Sequence, residues 1–287
     1  MSELKIAFQG EYGAFSEMAA RAYFGEGVDV LPCPHFMALF SAVEKGEASH
    51  GMVPIENSLM GSIHENYDNL LKYGLQIVGE LKLRIVHNLI VNPGEKVEDI
   101  RHIYSQAPAL AQCKDLIASL SQAQAVMAPD TAGAVKQLKA SGARDAAAIA
   151  SKQAAIDYEL EILQAGVEDD HANFTRFLVV VPEGPEVIGA TKTSIVFAMQ
   201  NVPGALFKSL SVFALRDLNL LKIESRPLVG KPWEYSFYLD IEGHLGQESC
   251  RRAIDDLREI ASFVRILGAY KQGDVVAGKV RPKRDNA

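Results

Sequence analysis

The chain has 287 residues, of which 48% are hydrophobic and 23% are charged, and 29 basic against 36 acidic residues leave a formal net charge of −7. This composition is typical of a globular protein and excludes disorder, collagen-like repeats and a long coiled coil. An acidic chain lacks the positive field that attracts nucleic acids and anionic membranes, so we expect no nucleic-acid and no membrane partner. The length predicts two domains.

Residue counts also bear on cofactors and compartment. The cysteines, Cys33, Cys113 and Cys250, are odd in number and far apart, and the seven histidines show no metal-ligand spacing. We therefore expect no disulfide framework and no metal. Free thiols indicate reducing surroundings. Because the N-terminus leads directly into a strand pattern without the apolar segment of a signal peptide, we expect a cytoplasmic protein.

The first half of the chain alternates strand-like and helix-like segments. Residues 4–8 form a short apolar strand, and the apolar spacing of residues 36–43 follows one face of a helix. A second alternating unit covers residues 103–150, and residues 81–91 connect the two as one long strand. This order predicts two α/β lobes with mostly parallel sheets. Ligands of such sheets bind beyond the carboxyl ends of the strands, so we expect a site in a cleft between the lobes.

The order of elements changes after the run Pro-Glu-Gly-Pro at 182–185, which is the strongest boundary signal in the chain. Beyond it the pattern predicts β-α-β-β-α-β, the ferredoxin-like arrangement of an α+β domain. The predicted organisation is a first domain at 1–182, a linker at 183–190, a second domain at 191–272 and a flexible tail at 273–287.

Two polar motifs lie where the topology predicts a ligand site. Glu-Asn-Ser at 56–58 follows a buried strand, and Asn-Phe-Thr-Arg-Phe at 173–177 lies on the returning strand. Each has a purely structural alternative, a helix cap with a turn for the first and an ordinary strand for the second. The glycine-containing segment 10–16 is either a tight turn or an anion site at a helix N-terminus, and it lacks the glycines of a dinucleotide loop.

Taken together, these motifs resemble a known family. The run 53–61, then Ser105 with Gln112 and Cys113, and the run 173–177 resemble prephenate dehydratase. Gly-Ala-Leu at 204–206 and Glu-Ser-Arg-Pro at 224–227 resemble the regulatory ACT domain of its phenylalanine-sensitive members. One departure is Ala107-Pro108, where members often carry Pro-Gln.

The resemblance implies a two-lobed, periplasmic-binding-protein-like α/β catalytic domain and a ferredoxin-like α+β ACT domain. It implies conversion of prephenate to phenylpyruvate, water and carbon dioxide in phenylalanine biosynthesis, without a cofactor and with feedback inhibition by phenylalanine. It also implies a homodimer or homotetramer formed through the ACT domain. Two alternatives stay open: an arogenate dehydratase, whose substrate has an amine in place of the keto group, and a small-molecule binding protein without catalysis.

The resemblance also assigns residues to three sites. The implied catalytic residues are Thr175, Asn173, Arg176 and Phe177. The implied substrate-binding residues are Glu56, Asn57, Ser58, Gln112, Gly13 and Ala14. The implied phenylalanine site consists of Asn201, Gly204, Ala205, Leu206, Ile223, Glu224 and Ser225.

Simple chemistry refines three of these roles. A threonine hydroxyl is a very weak acid, so we expect Thr175 to donate a hydrogen bond to the departing C4 hydroxyl rather than to transfer its proton. Because side chains alternate across a strand, Arg176 is expected to face away from the cleft. Glu56 beside a dianion must be either protonated or turned toward a basic partner.

Overall fold

We describe residues 4–184, 187–228 and 233–283 of a computed structural model of the chain. The chain divides into two compact units. The larger unit comprises Met1–Asn69, Leu81–Leu178 and Asp274–Ala287, and the smaller unit comprises Leu70–Glu80 and Val179–Gly273.

The first lobe of the larger unit is built on a sheet whose early elements alternate as expected. In chain order these elements are β1 (Lys5–Gln9), α1 (Phe15–Phe24), β2 (Asp29–Cys33), α2 (Phe36–Glu44), β3 (His50–Asn57), β4 (Gly61–Ser62), α3 (His64–Tyr73) and β5 (Gln76–Arg84). β1 lies between β2 and β3 and is parallel to both. On α2, Leu39, Phe40 and Val43 are fully buried, which is the face that the apolar spacing predicts.

The second lobe is a mixed sheet with its own apolar core. Its elements are β6 (Asn88–Val91), a 3₁₀ turn (Val97–Asp99), β7 (His102–Ser105), α4 (Ala107–Ala111), α5 (Lys114–Ser119), β8 (Gln124–Met127), α6 (Thr131–Ser141), β9 (Ala146–Ala150), α7 (Lys152–Asp157) and β10 (Glu161–Ala165). The strand order is β10-β6-β9-β7-β8. β7 is parallel to β8 and β9, whereas β6 is antiparallel to β9 and β10.

Two predicted elements of this region are wrong. The strand predicted over residues 81–91 ends at Arg84 and resumes at Asn88, so residues 85–87 form a crossing between the lobes. The helix predicted over residues 109–120 is two short helices that break at Gln112 and Cys113. Periodicity revealed neither break, because a local pattern does not show where a chain leaves one sheet or where one helix ends and the next begins.

The chain returns to the first lobe through β11 (Phe174–Val181), and the sheet order there is β16-β5-β11-β3-β1-β2 with β4 on β3. β16 (Val275–Ala277) pairs in parallel with β5. Farther along, Arg281 forms ion pairs with Glu17 and Asp157. The prediction of a flexible tail at 273–287 is therefore wrong for its described residues, since strand pairing and buried ion pairs hold them.

The smaller unit contains the predicted β-α-β-β-α-β order. Its elements are β12 (Lys192–Ala198), α8 (Ala205–Ala214), β13 (Leu220–Pro227), β14 (Tyr235–Glu242), α9 (Glu248–Ile260) and β15 (Phe263–Tyr270). The four strands are antiparallel in the order β13-β14-β12-β15. The core between this sheet and the two helices includes Phe197, Phe213, Leu239 and Leu257.

Residues 70–80 belong to this smaller unit, although they precede it in sequence by about a hundred residues. Lys192 Nζ lies 2.7 Å from Glu80 Oε1, and both side chains are buried. A Cβ on Gly268 would lie only 2.0 Å from the carbonyl oxygen of Ile77, so β15 approaches this backbone as closely as glycine permits. The predicted domain at 191–272 omits this segment, and its exact bounds stay a prediction.

Candidate active site

A cavity of about 330 Å³ lies in the larger unit and is lined by residues of both lobes. The ends of β1 and β3, the beginnings of α1 and α6, and β11 all contribute side chains to it. Five predicted site residues line this cavity: Ala14, Asn57, Gln112, Thr175 and Phe177. The cavity therefore lies at the ends of β1 and β3, where the topology predicts a ligand site.

Three side-chain amides form a closed ring of hydrogen bonds beside the cavity. Asn57 Nδ2 donates to Asn173 Oδ1 at 2.8 Å, and Asn173 Nδ2 donates to Gln112 Oε1 at 2.9 Å. Gln112 Nε2 closes the ring by donating to Asn57 Oδ1 at 3.1 Å. Because the three residues come from the first lobe, the second lobe and the returning segment, the ring ties these parts together.

Backbone groups fix the direction of this ring. The N–H groups of Leu59 and Met60 each donate to Asn57 Oδ1 at 3.0 Å. A backbone N–H can only donate, so the Asn57 oxygen is an acceptor and its Nδ2 is a donor. That Nδ2 donates to Thr175 Oγ1 at 3.1 Å. Since the Thr175 oxygen accepts this bond, its own hydroxyl proton is available to a molecule in the cavity.

His87 contacts the ring of amides through Gln112, and the sequence analysis did not identify it as a site residue. Its Nε2 lies 2.9 Å from Gln112 Oε1, which can only accept, so Nε2 carries the proton. Burial lowers the pKa of His87 and is opposed by the bond to Gln112 and by Glu168. The imidazole of His87 is therefore neutral near pH 7. Its Nδ1 is a buried acceptor without a hydrogen-bond partner among residues 4–184, 187–228 and 233–283. His87 lies in the crossing at 85–87, between the two lobes. A sequence analysis that predicted this crossing could have identified His87 as a candidate, but we predicted one continuous strand here.

Two predicted site residues pair with each other outside the cavity lining. Arg176 Nη1 lies 3.6 Å from Glu56 Oε2, and neither residue lines the cavity. The alternation of side chains along β11 explains the placement of Arg176. Of the two states expected for Glu56 beside an anionic ligand, the structure has the carboxylate turned toward a basic partner, Arg176.

Ser58 and Gly13 also lie outside the lining, in structural contacts. Ser58 Oγ donates to the Ala172 carbonyl at 2.7 Å and accepts from the Phe174 N–H at 2.9 Å. Gly13 donates its N–H to Glu17 Oε2 at 2.8 Å. A Cβ on Gly13 would lie 2.6 Å from the Cα of Ala154, so glycine is needed for this close approach.

Charge in the cavity is low. None of the lining residues, all of which lie in the described ranges, is Lys or Arg, and Asp130 is the one carboxylate among them. Asp130 also caps α6 by accepting from the Gly133 N–H at 2.7 Å. At the start of α1, Ala14 provides no side-chain cap, so first-turn amides are available to an anion. An anionic ligand would therefore be held by amides and a helix N-terminus.

The placement of potential metal ligands and of the Cys113 thiol bears on two other kinds of chemistry. No group of three or more His, Cys, Asp or Glu side chains in the described part of the chain is placed to hold a metal ion. Burial raises the pKa of the Cys113 thiol to about 12, with Asp169 and Glu168 contributing, so it is a poor nucleophile. Among the described helices none is long and apolar enough to cross a membrane.

The smaller unit has a cavity of about 200 Å³ at the start of α8. Four residues of the predicted phenylalanine site line it: Asn201, Gly204, Ala205 and Leu206. Gly204 has φ +79° and precedes α8 without a side-chain cap. The other three predicted residues, Ile223, Glu224 and Ser225, lie on β13 and do not line this cavity. Ser225 is the strand partner of Phe237, which does line the cavity, so the second motif lies beside it and its part in a phenylalanine site stays a prediction.

Comparison with known proteins decides the family. The family model described as prephenate dehydratase matches residues 6–185. The chain belongs to the prephenate dehydratase family. It is similar to the Arabidopsis thaliana protein named arogenate dehydratase/prephenate dehydratase 2, chloroplastic, with 44% identity over 94% of this chain and 73% of that protein.

Two solved structures share the fold over 94% of this chain, each with a TM-score of 0.85. One is prephenate dehydratase from Arthrobacter aurescens in complex with L-Phe, at 32% identity and 90% of its own chain. The other, at 36% identity and 98% of its own chain, is described as a novel type of quorum quenching acylase. The predicted family, the two-lobed α/β fold with a second α+β domain and the assignment as a lyase of phenylalanine biosynthesis are confirmed. The antiparallel sheet of the second domain is consistent with the ACT type.

The prediction of a cytoplasmic protein is wrong. The Arabidopsis thaliana relative above and two others, each 43% identical over 94% of this chain, are named chloroplastic. Buried free thiols indicate reducing surroundings and do not distinguish one such compartment from another.

Proposed function

We propose that the cavity of the larger unit binds prephenate and that Thr175 donates a hydrogen bond to its departing C4 hydroxyl. The observation that carries this proposal is the bond from Asn57 Nδ2 to Thr175 Oγ1, which leaves the threonine proton for the substrate. Thr175 is buried and lines the cavity, so the donor acts where water is largely excluded.

The reaction needs few groups. The bond from the ring to its carboxylate breaks and releases carbon dioxide, and the electron pair moves into the ring. The C4–O bond breaks with its electron pair on oxygen, and the departing hydroxide takes a proton that comes, in the net reaction, from solvent to form water. Aromaticity drives this change, so the protein has to orient the substrate and stabilise the departing oxygen. One donor aimed at such an oxygen contributes ~10²–10³-fold in rate. Phe177 offers an apolar wall for the ring, and the first-turn amides of α1 suit a carboxylate.

A second substrate, arogenate, is favoured by two observations. Similar proteins from Arabidopsis thaliana are named arogenate dehydratases. The cavity lining also has no cationic side chain, which suits a substrate with one compensating positive charge. Purified protein should be assayed with prephenate and with arogenate while the aromatic product is followed. Turnover of neither substrate would reject the proposal in favour of a binding protein without catalysis.

We further propose that phenylalanine binds in the smaller unit's cavity and inhibits the enzyme. Support comes from the L-Phe bound in the Arthrobacter aurescens protein and from the uncapped start of α8, where amides suit a carboxylate. Leu206 offers apolar surface for the ring. Gly204→Val would strain a residue at φ +79°, so this variant should lose phenylalanine binding in calorimetry while keeping dehydratase activity. Full inhibition of the variant would place the site elsewhere.

Assembly through the smaller unit is the remaining proposal. β13 is an edge strand of its sheet, and its exposed positions include Leu221 and Ile223. An exposed edge with apolar side chains is a surface on which a second copy can pair. We propose a homodimer or homotetramer formed through this unit. Light scattering should report at least twice the chain mass of 31.3 kDa, and a monomer at micromolar concentration would contradict it.

A further inference from the structure

Resting on the proposed function, we infer that Arg281 in the C-terminal segment supports substrate binding, because it neutralises the buried carboxylate of Glu17 directly behind the cavity wall. Arg281 does not line the cavity, so it acts through Glu17 and does not touch the substrate. The evidence is the position of Glu17, the charges that surround it and the charge of the substrate.

Glu17 lies on α1 immediately behind the surface of the cavity. It follows three lining residues of the same segment, Ala14, Phe15 and Ser16. Its Oε2 accepts from the Gly13 N–H at 2.8 Å, and its side chain is fully buried. Because burial keeps solvent from screening the charge, a carboxylate here acts on a ligand in the cavity more strongly than a carboxylate on the surface does.

Four side chains with little solvent exposure form one ionic cluster around Glu17. Glu17 Oε1 lies 2.7 Å from Arg21 Nε and 2.9 Å from Arg281 Nη2. Arg281 Nη2 also lies 3.0 Å from Asp157 Oδ2, and this second carboxylate is fully buried as well. Two carboxylates and two guanidinium groups have no net charge, so loss of Arg281 leaves the cluster with a net charge of −1.

Other carboxylates beside the cavity lining are paired in the same way. Arg176 lies 3.6 Å from Glu56, and Arg84 lies 2.9 Å from Glu168. Within the lining, all of which belongs to the described part of the chain, Asp130 is the one carboxylate and no residue is Lys or Arg. The lining therefore has no cation that could offset a further negative charge behind it.

The substrate is the molecule that responds to this charge. Prephenate has two carboxylates and a charge of −2, so a negative cluster behind the wall would oppose its binding. Arogenate also has an ammonium group, which leaves a net charge of −1. Because the energy of interaction between charges is proportional to each charge, the effect on arogenate should be about half as large in free energy.

Uncharged variants test the charge separately from the fold. Arg281→Gln should raise KM for prephenate ~10-fold and change kcat by about threefold at most, because binding is weakened and the Thr175 donor is retained. KM for arogenate should rise by about threefold. The double variant with Glu17→Gln has no net charge in the cluster and keeps an acceptor for the Gly13 N–H, so its KM for prephenate should return close to the wild-type value.

Lys283→Gln is the matched control, because it removes a positive charge from the same segment and its partner, Glu159, is exposed. Solvent and salt screen such a surface charge, so KM should not change. An unchanged KM in Arg281→Gln would overturn the inference. A double variant that binds as poorly as Arg281→Gln would also overturn it, since the segment would then contribute only to folding. If wild type turns over neither substrate, the proposed function itself fails, which is a different result.

Glu17→Gln alone provides the test if Arg281→Gln does not fold. This variant keeps both guanidinium groups and an acceptor for the Gly13 N–H, and it gives the cluster a net charge of +1. We expect KM for prephenate to fall about threefold or more, whereas loss of a purely structural contact would leave KM unchanged or raise it. A KM at or above the wild-type value would overturn the inference. Circular dichroism at the assay temperature verifies that each variant is folded.

Discussion

At the scale of single residues, this site depends on which atom of each side chain donates. Three neutral amides and one neutral imidazole can each present either a donor or an acceptor, and the backbone amides of Leu59 and Met60 select one arrangement. The result is a donor at Thr175 and an acceptor at His87, without a charged group at either position. Substitutions that keep size and change polarity are therefore the sharpest tests.

The Thr175 hydroxyl is expected to be needed for chemistry more than for binding. Thr175→Ala should lower kcat by ~10²-fold or more with a smaller change in KM, because it removes a donor to the departing oxygen and leaves the carboxylate contacts. Thr175→Ser should retain much more activity. Steady-state kinetics check this, and an alanine variant with wild-type kcat would exclude the role.

Asn57→Asp tests the direction of the amide ring. The carboxylate still accepts from Leu59 and Met60 but cannot donate to Asn173 or to Thr175, so the threonine proton would turn toward the new oxygen. We expect kcat to fall ~10²-fold, as for loss of the threonine donor. The thermal midpoint should fall as well, because the Asn173 Oδ1 and Phe174 carbonyl oxygens lose their donor. Unaltered kcat in this variant would contradict the assigned direction.

At the scale of elements, β5 contributes residues to both compact units. Its first residues, Gln76–Glu80, belong to the smaller unit, and its later residues lead to the crossing that carries His87. The buried pair of Lys192 and Glu80 anchors the first part, and Glu80 Oε1 also accepts from the Gly273 N–H at 3.0 Å. This contact is specific because a buried charge is tolerated only when it is paired.

Breaking that pair should destabilise the smaller unit. Lys192→Met removes the ammonium that pairs with the buried Glu80 carboxylate, and we expect a loss of ~3–5 kcal/mol in the free energy of unfolding. The double variant Lys192→Met with Glu80→Gln removes the charge and keeps an acceptor for Gly273, so it should regain most of the loss. Urea unfolding measures both. Equal stability of the single and double variants would show that the pair is not coupled.

At the scale of the whole chain, Arg281 links two helices that lie far apart in the sequence. Arg281 Nη2 lies 2.9 Å from Glu17 Oε1 on α1 and 3.0 Å from Asp157 Oδ2 on α7, and both carboxylates are fully buried. Its backbone N–H donates to Gln153 Oε1 at 2.8 Å. One side chain of the terminal segment therefore joins a helix of the first lobe to a helix of the second.

Loss of this contact should destabilise the larger unit. Arg281→Ala leaves Asp157 without its cation, so we expect ~3–5 kcal/mol less stability toward urea. Lys283→Ala is the matched control. Lys283, two residues after Arg281, forms an ion pair with the exposed Glu159, and loss of this surface pair should have no measurable effect on stability. Equal unfolding midpoints for the two variants would show that the segment is not a structural link.

The sequence by itself determined the types and order of most elements and the residues of three key motifs. Apolar periodicity identified α2, the β-α-β-β-α-β domain and the strand that carries Thr175, because periodicity is a local property. Only the tertiary structure decided which polar atoms meet. Asn57, Gln112 and Asn173 are 55 and 61 residues apart in turn, and the tautomer of His87 follows from their arrangement. Hydrogen bonds are directional and short, so their partners depend on the folded path of the chain rather than on local pattern.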